Sequence, residues 1–344
     1  MKNFILSFIG ALFFSVGIGQ SNLKPISKPL VSHMYTADPS AHVFNNKIYI
    51  YPSHDIDAGI PENDNGDHFD MRDYHVFSMD SIGAKVIDHG VAIDKKDIPW
   101  AGRQLWAPDV AFKNGVYYLY FPIKDKADIF KIGVATSKRP EGPFKAEPAE
   151  IKSSYSIDPA VFKDDNNEYY MYFGGIWGGQ LQRWDNNIYQ ADSKLKTANE
   201  EAILPRVAKL SADMKSFAEA PRAIKILDKN GNLFLEQNND KRFFEAAWMH
   251  KYKGKYYFTY STGDTHNLCY AIGDNVYGPF TYQGIFLKPV QGWTSHHSII
   301  QYKSKWYLFY HDTELSGKTH LRNIKMTELK YNKDGSIQTI NAYQ

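Results

Sequence analysis

Five polar side chains that could act together in acid–base chemistry occur at matching positions along the sequence. They are Asp38, Asp109, Asp158, Glu245 and His296. Each precedes a tyrosine in a short aromatic run by 9 to 12 residues. Carboxylates that lie close together disfavour one another's ionised form, so such a cluster can hold one protonated acid and one ionised base. The sequence must therefore contain elements that bring these distant positions together.

The elements are five copies of one pattern, an apolar run, a polar turn and a second run rich in tyrosine. Turn-forming pairs such as Asn45-Asn46, Asn114-Gly115 and Lys253-Gly254 separate the two runs, which predicts β-hairpins. The copies occupy residues 41–52, 108–122, 158–174, 246–261 and 297–311. The tyrosines that align in the second runs are Tyr49, Tyr118, Tyr170, Tyr257 and Tyr307.

Repeats of about 50 residues that contain several short strands are typical of β-propeller blades. The spacings between aligned tyrosines are 69, 52, 87 and 50 residues, which indicates insertions in loops. A β-sandwich is the competing all-β fold, but it does not predict five copies of one hairpin. We therefore predict an all-β, five-bladed β-propeller that forms a single catalytic domain over residues 20–344. The innermost strands of such a fold line one axis, so the five polar side chains would meet at one face.

A cluster of this kind suits the hydrolysis of a glycosidic bond. That reaction needs a protonated acid for the leaving oxygen and an ionised carboxylate across from it. Inverting enzymes hold the two groups about 6.5–9.5 Å apart, which leaves room for the attacking water. Opposite sides of a propeller mouth offer such a gap more readily than neighbours on one strand.

Five short motifs around these residues, taken in order, resemble those of glycoside hydrolase family 43. They are Ala37-Asp38-Pro39, Trp106-Ala107-Pro108-Asp109, Ile157-Asp158-Pro159-Ala160, Phe244-Glu245-Ala246 and Ser295-His296-His297-Ser298, and the likeness extends from about Asp38 to Arg322. The resemblance implies that Asp38 is the general base, that Glu245 is the general acid, and that Asp158 tunes and orients the acid. A lone Asp-Pro is usually a turn starter, but its occurrence at equivalent blade ends favours the catalytic interpretation. The apolar neighbours of Glu245 would favour its protonated form.

Four further residues are candidates for substrate binding, namely Trp106, Asp109, Arg322 and His296. Arg322 resembles the active-site arginine of the family, which could bind a sugar hydroxyl and keep a carboxylate ionised; a charge on a surface strand is the alternative. Trp106 resembles an aromatic wall of the sugar pocket, and plain core packing is its alternative. The resemblance gives Asp109 no catalytic role, so binding of substrate and capping of a turn both stay open.

His296 matches a histidine that, in relatives, lies beside a cation or a water cluster on the propeller axis. A single histidine without other ligands at metal-site spacing does not support a tightly held zinc ion. A structural Ca²⁺ ion held through oxygen ligands and water is compatible with this position. We expect the chemistry itself to require no cofactor.

Residues 53–74 form a long acidic insertion between blade strands. Its composition predicts a loop that closes one side of the pocket and contributes to specificity. Asp64, Asn65, Gly66 and Asp67 lack the full spacing and the terminal glutamate of an EF-hand.

The N-terminus predicts export. A charged start, an apolar run over residues 4–16 and a small-residue exit describe a signal peptide over residues 1–19, too short to span a bilayer. We therefore expect a periplasmic or extracellular protein. The net charge of +2 and the interspersed charges argue against a nucleic-acid partner. Cys269 is the single cysteine and lies in an apolar run, so we expect a buried, inert thiol rather than a nucleophile.

The expected partner is an oligo- or polysaccharide, and the favoured activity is that of an exo-acting, inverting β-xylosidase. An α-L-arabinofuranosidase is the nearest alternative, because the two sugars present similar hydroxyl patterns; an endo-arabinanase would need an open cleft. A non-catalytic carbohydrate-binding propeller is the alternative of another class. A retaining fructosidase is disfavoured because its Asn-Asp-Pro-Asn type of nucleophile segment is missing.

Overall fold

The computed structural model describes residues 23–293 and 296–344. The signal peptide predicted for residues 1–19 lies outside this range. The described chain is built of β-strands, with three short 3₁₀ turns at Lys95–Asp97, Trp177–Gly179 and Leu181–Arg183. None of its helical segments has the length and apolar character needed to cross a membrane.

The first two blades follow the predicted hairpins. Blade 1 is an antiparallel sheet in the order β1-β2-β3-β4. Its strands are β1 (Tyr35–Phe44), β2 (Lys47–Asp55), β3 (Asp73–Met79) and β4 (Ile87–Asp94). In blade 2 the long strand β7 pairs with β6 along its first half and with β5 along its second half. Its strands are β5 (Ala101–Leu105), β6 (Asp109–Lys113), β7 (Val116–Asp125), β8 (Phe130–Ser137) and β9 (Lys145–Ala146).

The other three blades carry the remaining hairpins. Blade 3 has the order β10-β11-β14-β15, and a small β12-β13 hairpin projects from it. These strands are β10 (Ala160–Lys163), β11 (Tyr169–Phe173), β12 (Trp184–Asp185), β13 (Ile188–Tyr189), β14 (Arg206–Lys209) and β15 (Arg222–Ala223). Blade 4 has the order β16-β20-β19-β18-β17, and blade 5 the order β21-β22-β23. Their strands are β16 (Ile226–Leu227), β17 (Glu245–Tyr252), β18 (Lys255–Ser261), β19 (Leu268–Gly273), β20 (Phe280–Leu287), β21 (His297–Tyr302), β22 (Lys305–Asp312) and β23 (Asn323–Leu329).

The five innermost strands contact one another in a closed ring, β1 to β6, β6 to β10, β10 to β17, β17 to β21 and β21 back to β1. The N-terminal segment closes the ring against the last blade, because Leu30 N–H donates to Ile324 O at 2.8 Å. Lys24 and Gln344 exchange backbone hydrogen bonds at 2.7 and 2.9 Å. The predicted five-bladed propeller is confirmed.

The tyrosine-rich second strands explain how the blades adhere. Each carries a fully buried tyrosine, namely Tyr51, Tyr120, Tyr172, Tyr260 and Tyr310. The hydroxyls of Tyr51, Tyr120 and Tyr172 donate at 2.7–2.9 Å to backbone carbonyls that follow strands of the next blade. A buried tyrosine thus supplies apolar area while its polar end is satisfied.

Cys269 is fully buried in β19. Burial raises the pKa of its thiol to about 12, so the thiolate form is scarce at neutral pH and the expectation of an inert cysteine is supported.

Candidate active site

One pocket of about 450 Å³ opens at the propeller mouth. Its lining includes six of the seven residues singled out from the sequence, which are Asp38, Trp106, Asp158, Glu245, His296 and Arg322. Residues separated by up to 284 positions along the chain therefore line one pit, as the repeat predicted. The seventh, Asp109, is not part of the lining.

The backbone is distorted where the carboxylates enter the pocket. Asp38, Asp158 and Ala246 have φ values of +50°, +56° and +60°, in the left-handed region that non-glycine residues seldom adopt. The pairing of β1 with β2 shifts between Ala37 and Ser40, and that of β17 with β18 shifts between Glu245 and Trp248. Such bulges re-aim a side chain next to a functional site. Asp38 was expected to precede its strand but lies within β1, because the strand continues through the bulge.

Asp38 is surrounded by donors. Ser53 Oγ donates to its Oδ2 at 2.7 Å, and Arg322 Nη1 donates to its Oδ1 at 3.0 Å. Its own backbone N–H donates to His311 Nδ1 at 3.0 Å. Burial by itself would raise the pKa of Asp38, but the Arg322 guanidinium, with smaller contributions from His311, His296 and Ser53, lowers it below its ordinary value. Asp38 is therefore ionised at neutral pH.

Arg322 is fixed by a second carboxylate. Asp55, at the end of β2, accepts from the backbone N–H and Nε of Arg322 at its Oδ2, at 2.8 and 2.9 Å, and from Nη2 at its Oδ1, at 2.8 Å. The guanidinium also lies over the Phe69 ring, 4.8 Å from its centroid. Although burial opposes the charge, Asp38 and Asp55 raise the pKa of Arg322. Arg322 is thus a buried, permanently charged group rather than a charge on a surface strand.

Asp158 lies in different surroundings. Its Oδ2 accepts the backbone N–H of Ala246 at 2.7 Å, which ties the carboxyl group to the residue that follows Glu245. Burial, and then the charges of Glu245 and Asp38, raise the pKa of Asp158 well above its ordinary value. The neighbouring Glu245 is half-buried at the start of β17. The pocket therefore contains carboxyl groups with opposite tendencies to ionise.

Asp109 begins β6 in blade 2, where the strand register makes it the counterpart of Ser40 in blade 1 and Ala160 in blade 3. Its oxygens bind the protein. Oδ1 accepts from Ser40 Oγ at 2.5 Å and lies 2.6 Å from His42 Nε2, and Oδ2 accepts the backbone N–H of Val161. These partners belong to blades 1 and 3. Of the two roles that the sequence left open, this geometry favours the structural one.

His296 faces the pocket beside Asp158, with 3.8 Å between its Nε2 and Asp158 Oδ2. Both of its ring nitrogens are buried and make no hydrogen bond to any described residue. Burial lowers the pKa of His296, so the ring is neutral and offers a lone pair. Such a group suits a water molecule or a cation.

The predicted loop forms one wall of the pocket. The strands reach further than expected, because β2 ends at Asp55 and β3 begins at Asp73, so residues 56–72 connect them. Lining residues from this segment are Glu62, Asn63, Asp64, Gly66, His68, Phe69 and Met71. Trp106 holds the segment in place, since its Nε1 donates to Phe69 O at 2.8 Å.

An aromatic group on the far side of the pocket was not identified from the sequence. The Trp177 and Trp293 rings stack with centroids 5.8 Å apart, and His266 packs edge-on against Trp293 at 4.8 Å. All three line the pocket. They lie in loops between strands, outside the repeated hairpin, so the repeat gave no signal for them. Asp55, Ser53 and His311 were also missed, although each lies at the end of a second hairpin strand and follows its aligned tyrosine by four to six residues.

The chain is similar to known glycoside hydrolases over most of its length. The family described as glycosyl hydrolases family 43 matches residues 26–337. A xylosidase/arabinosidase from Bacteroides ovatus is 59% identical over 320 residues, which are 92% of this chain and 98% of the relative. A β-xylosidase from Xylanibacter ruminicola is 53% identical over 309 residues, 89% of this chain and 97% of the relative.

Solved structures resemble the whole propeller. A β-xylosidase/α-arabinofuranosidase from a compost microbial metagenome, in complex with xylotriose and in a calcium-free form, is 65% identical with a TM-score of 0.91. The match covers 94% of this chain and 99% of that protein. A GH43_1 enzyme from Xanthomonas citri complexed with xylotriose is 54% identical with a TM-score of 0.89, covering 92% and 94% of the two chains.

Proposed function

Because the chain belongs to glycoside hydrolase family 43, we propose that it is an exo-acting β-xylosidase that releases terminal xylose with inversion at the anomeric carbon. The observation that carries the proposal is one pocket with three carboxyl groups in unlike surroundings. Asp38 is held ionised by Arg322, while Asp158 is buried next to Glu245 without a cation bonded to it. This is the arrangement that a single-displacement hydrolysis needs.

In the proposed mechanism Asp38 is the general base. Its ionised carboxylate takes a proton from a water molecule, whose oxygen attacks the anomeric carbon of the sugar in the pocket. Glu245 is the general acid and gives its proton to the departing glycosidic oxygen. The bond between that oxygen and the anomeric carbon breaks as the new bond to the water oxygen forms.

Asp158 acts on the acid. Its hydrogen bond from the N–H of Ala246 fixes the left-handed backbone next to Glu245, and its carboxyl group lies near that of Glu245. Because the two carboxyl groups lie close together, ionisation of one disfavours ionisation of the other, so the pair retains a proton for the acid step. Arg322 positions Asp38 and is available to a sugar hydroxyl, and Trp106 supplies an apolar face. For Asp109 we propose the structural role of joining blades 1, 2 and 3.

The substrate is proposed from two features. The 56–72 segment, together with Trp177 and Trp293, walls a pit of about 450 Å³, which fits a terminal sugar better than the middle of a long chain. Relatives at 53–59% identity carry the names β-xylosidase and xylosidase/arabinosidase. These names support β-xylosidase activity and make α-L-arabinofuranosidase the second candidate. The pit disfavours an endo-arabinanase.

A purely sugar-binding propeller is disfavoured by the buried acids. Burial of an ionisable group that is not paired with an opposite charge is unfavourable, and the hydrogen bond to Asp158 comes from the neutral N–H of Ala246. A binding protein has no need to retain this carboxyl group, whereas an acid–base mechanism does.

A Ca²⁺ ion beside His296 is compatible with this chain. The carboxyl groups of Asp38 and Asp158 would hold it, with His296 contacting it through a water molecule, because Ca²⁺ prefers oxygen ligands. Its charge would help to keep Asp38 ionised. The calcium-free form described for a relative is consistent with an ion in that protein.

We further propose export to the periplasm or the extracellular space, on the basis of the N-terminal sequence pattern alone. N-terminal sequencing of the protein recovered outside the cytoplasm tests it, and a start near Gln20 is expected. A chain that still begins at Met1 would contradict it.

The activity is tested with nitrophenyl β-xyloside, nitrophenyl α-arabinofuranoside and xylobiose. Proton NMR of the first xylose released should show the α-anomer, and a first product with the β-anomer would exclude the single-displacement mechanism. Glu245→Gln should reduce hydrolysis of xylobiose by about 10²–10⁴-fold. The loss should be much smaller for an aryl xyloside whose leaving group departs without a proton. Equal losses on both substrates would contradict the role of Glu245 as acid.

A further inference from the structure

A second group of chemically active side chains lies on blade 1, outside the sugar pocket. It consists of His54 on β2 and Asp73 and His75 on β3, none of which lines the pocket. One ligand atom from each residue, a ring nitrogen from each histidine and a carboxylate oxygen from Asp73, lie within 4.8 Å of one another. The side chains are about one-fifth exposed, so an ion can reach them from solvent.

The sheet itself brings these side chains together. β2 and β3 pair from Ile48 opposite Met79 to Ile50 opposite Phe77, and beyond this ladder His54 of β2 and Asp73 of β3 remain in side-chain contact. Asp73 and His75 lie two residues apart on β3 and therefore face the same side. His54 Nδ1 lies 2.7 Å from Asp73 Oδ1, and the two imidazole centroids are 5.3 Å apart.

A neighbouring carboxylate orients one of the rings. Asp88 Oδ1 lies 2.9 Å from His75 Nδ1, and Asp88 Oδ2 lies 2.9 Å from His33 Nε2. A ring that donates its Nδ1 proton to Asp88 leaves its Nε2 lone pair for a metal. Carboxylates commonly hold metal-binding histidines in this way.

From this cluster we propose that His54, Asp73 and His75 form a binding site for a transition-metal ion of the Zn²⁺ type. Two imidazoles and one carboxylate are typical zinc ligands, with water in the fourth position. The same set is poor for Ca²⁺, which prefers oxygen. The site is therefore distinct in place and in chemistry from the position beside His296.

The proposed metal site lies at the two ends of a segment that lines the sugar pocket. His54 and Asp73 bracket the 56–72 segment, so an ion bound here joins the two ends of the segment that walls the sugar site. Asp55, the next residue after His54, fixes Arg322. Zinc should therefore raise the melting temperature and protect the 56–72 segment from proteases.

The test measures zinc bound per chain in the untagged protein. The protein is stripped with a chelator and then equilibrated with Zn²⁺ in an excess of Ca²⁺, which occupies sites that prefer oxygen. We expect one equivalent of zinc for the wild type and for His89→Gln, a matched histidine on β4 that bonds Ser78 instead. We expect no bound zinc for His54→Gln and His75→Gln.

Two further variants, Asp88→Asn and His296→Gln, keep the test decisive. Asp88→Asn removes no ligand and should weaken zinc affinity by about 10–100-fold; melting curves recorded without metal identify any variant that fails to fold. Replacement of Zn²⁺ by Co²⁺ should give a visible absorption band in the wild type that is absent in His75→Gln. Wild-type protein that retains no zinc would overturn the proposal. So would zinc lost from His296→Gln but retained by His75→Gln.

Discussion

The two walls of the pocket treat their carboxyl groups in opposite ways. On one wall Asp38 is bonded to Ser53 and to Arg322, which a second carboxylate, Asp55, holds in place. On the other wall Asp158 is buried beside Glu245 and accepts a hydrogen bond from the neutral N–H of Ala246. Both Asp38 and Asp158 are about 5% exposed or less. Burial is therefore common to both walls, and the placement of one guanidinium separates them.

The comparison teaches how one fold keeps a base and an acid within a single pit. Burial favours the neutral form of every carboxyl group, so a buried base stays ionised only where a fixed cation lies next to it. Arg322 lies directly before β23 of the last blade, and its carbonyl accepts the N–H of Thr36 in β1, close to Asp38. The cation therefore lies close to one carboxylate, while the charge of Glu245 raises the pKa of the neighbouring Asp158.

The largest effect is expected from Asp38→Asn. The amide keeps the size of the side chain and its contact with Ser53 but cannot take a proton from water. We expect kcat to fall by about 10³–10⁴-fold, the upper part of the range for general acid–base catalysis. The measurement is xylobiose hydrolysis, with circular dichroism to verify folding. Asp80→Asn, an exposed aspartate of blade 1, is the control. A variant with near-normal turnover would remove Asp38 from the mechanism.

Asp158→Asn should lower the activity but raise the stability at neutral pH. The amide oxygen can still accept the Ala246 N–H, but the charge near Glu245 is gone, and we expect kcat to fall by about 10²-fold. In wild type the pKa of Asp158 is raised above its unfolded value. Its contribution to stability is therefore fully present below the unfolded pKa near 3.8 and is lost as the pH rises through the folded pKa.

The amide in Asp158→Asn does not ionise, so this variant does not lose stability as the pH rises. Asp158→Asn should melt at a higher temperature than wild type at pH 7, and the difference should shrink towards pH 4. Melting curves across this range test the sign. A variant less stable than wild type at pH 7 would mean that the buried charge is compensated, and the contrast between the two walls would fail.

Asp55→Asn tests whether the fixed guanidinium creates the contrast. The substitution leaves Arg322 with weaker partners and so loosens its contact with Asp38. Arg322 lowers the pKa of Asp38, so that pKa should rise, and the acid limb of the kcat/KM profile should move to higher pH. We expect about a 10–100-fold loss at low pH and a smaller loss at high pH. A uniform loss at every pH would indicate a purely structural role for Asp55.

The sequence predicted the parts of this arrangement that follow the repeat. Asp38, Asp158, Glu245 and His296 could be found because each has the same position in its hairpin. Asp55 could not, because it lies at the far end of β2, where the composition of residues 53–74 resembled a loop. The register of β1 with β2 and the bulge at Asp38 bring Asp55 towards Arg322.

The same limit applies to Asp109. It precedes its aligned tyrosine by 9 residues, against 12 for Asp158, and the strand register makes Ala160 its counterpart in blade 3. It bonds Ser40, His42 and Val161 of the adjoining blades rather than facing the pit. The position of a residue in a repeat predicts where its backbone lies in the blade. The partners that it meets depend on neighbouring blades, and a single hairpin does not contain that information.

The smallest effect is expected from Trp106→Phe, which touches neither Asp38 nor Asp158. Phenylalanine retains an aromatic face but loses the indole N–H that donates to Phe69 O and steadies the 56–72 segment. A hydrogen bond of this kind contributes about 0.5–1.5 kcal/mol, which corresponds to a rise in KM of about two- to thirteenfold. Because no charge changes, the pH profile should keep its wild-type shape. A shifted acid limb would show that the segment also controls the ionisation of Asp38, and the contrast between the walls could then no longer be assigned to Arg322 alone.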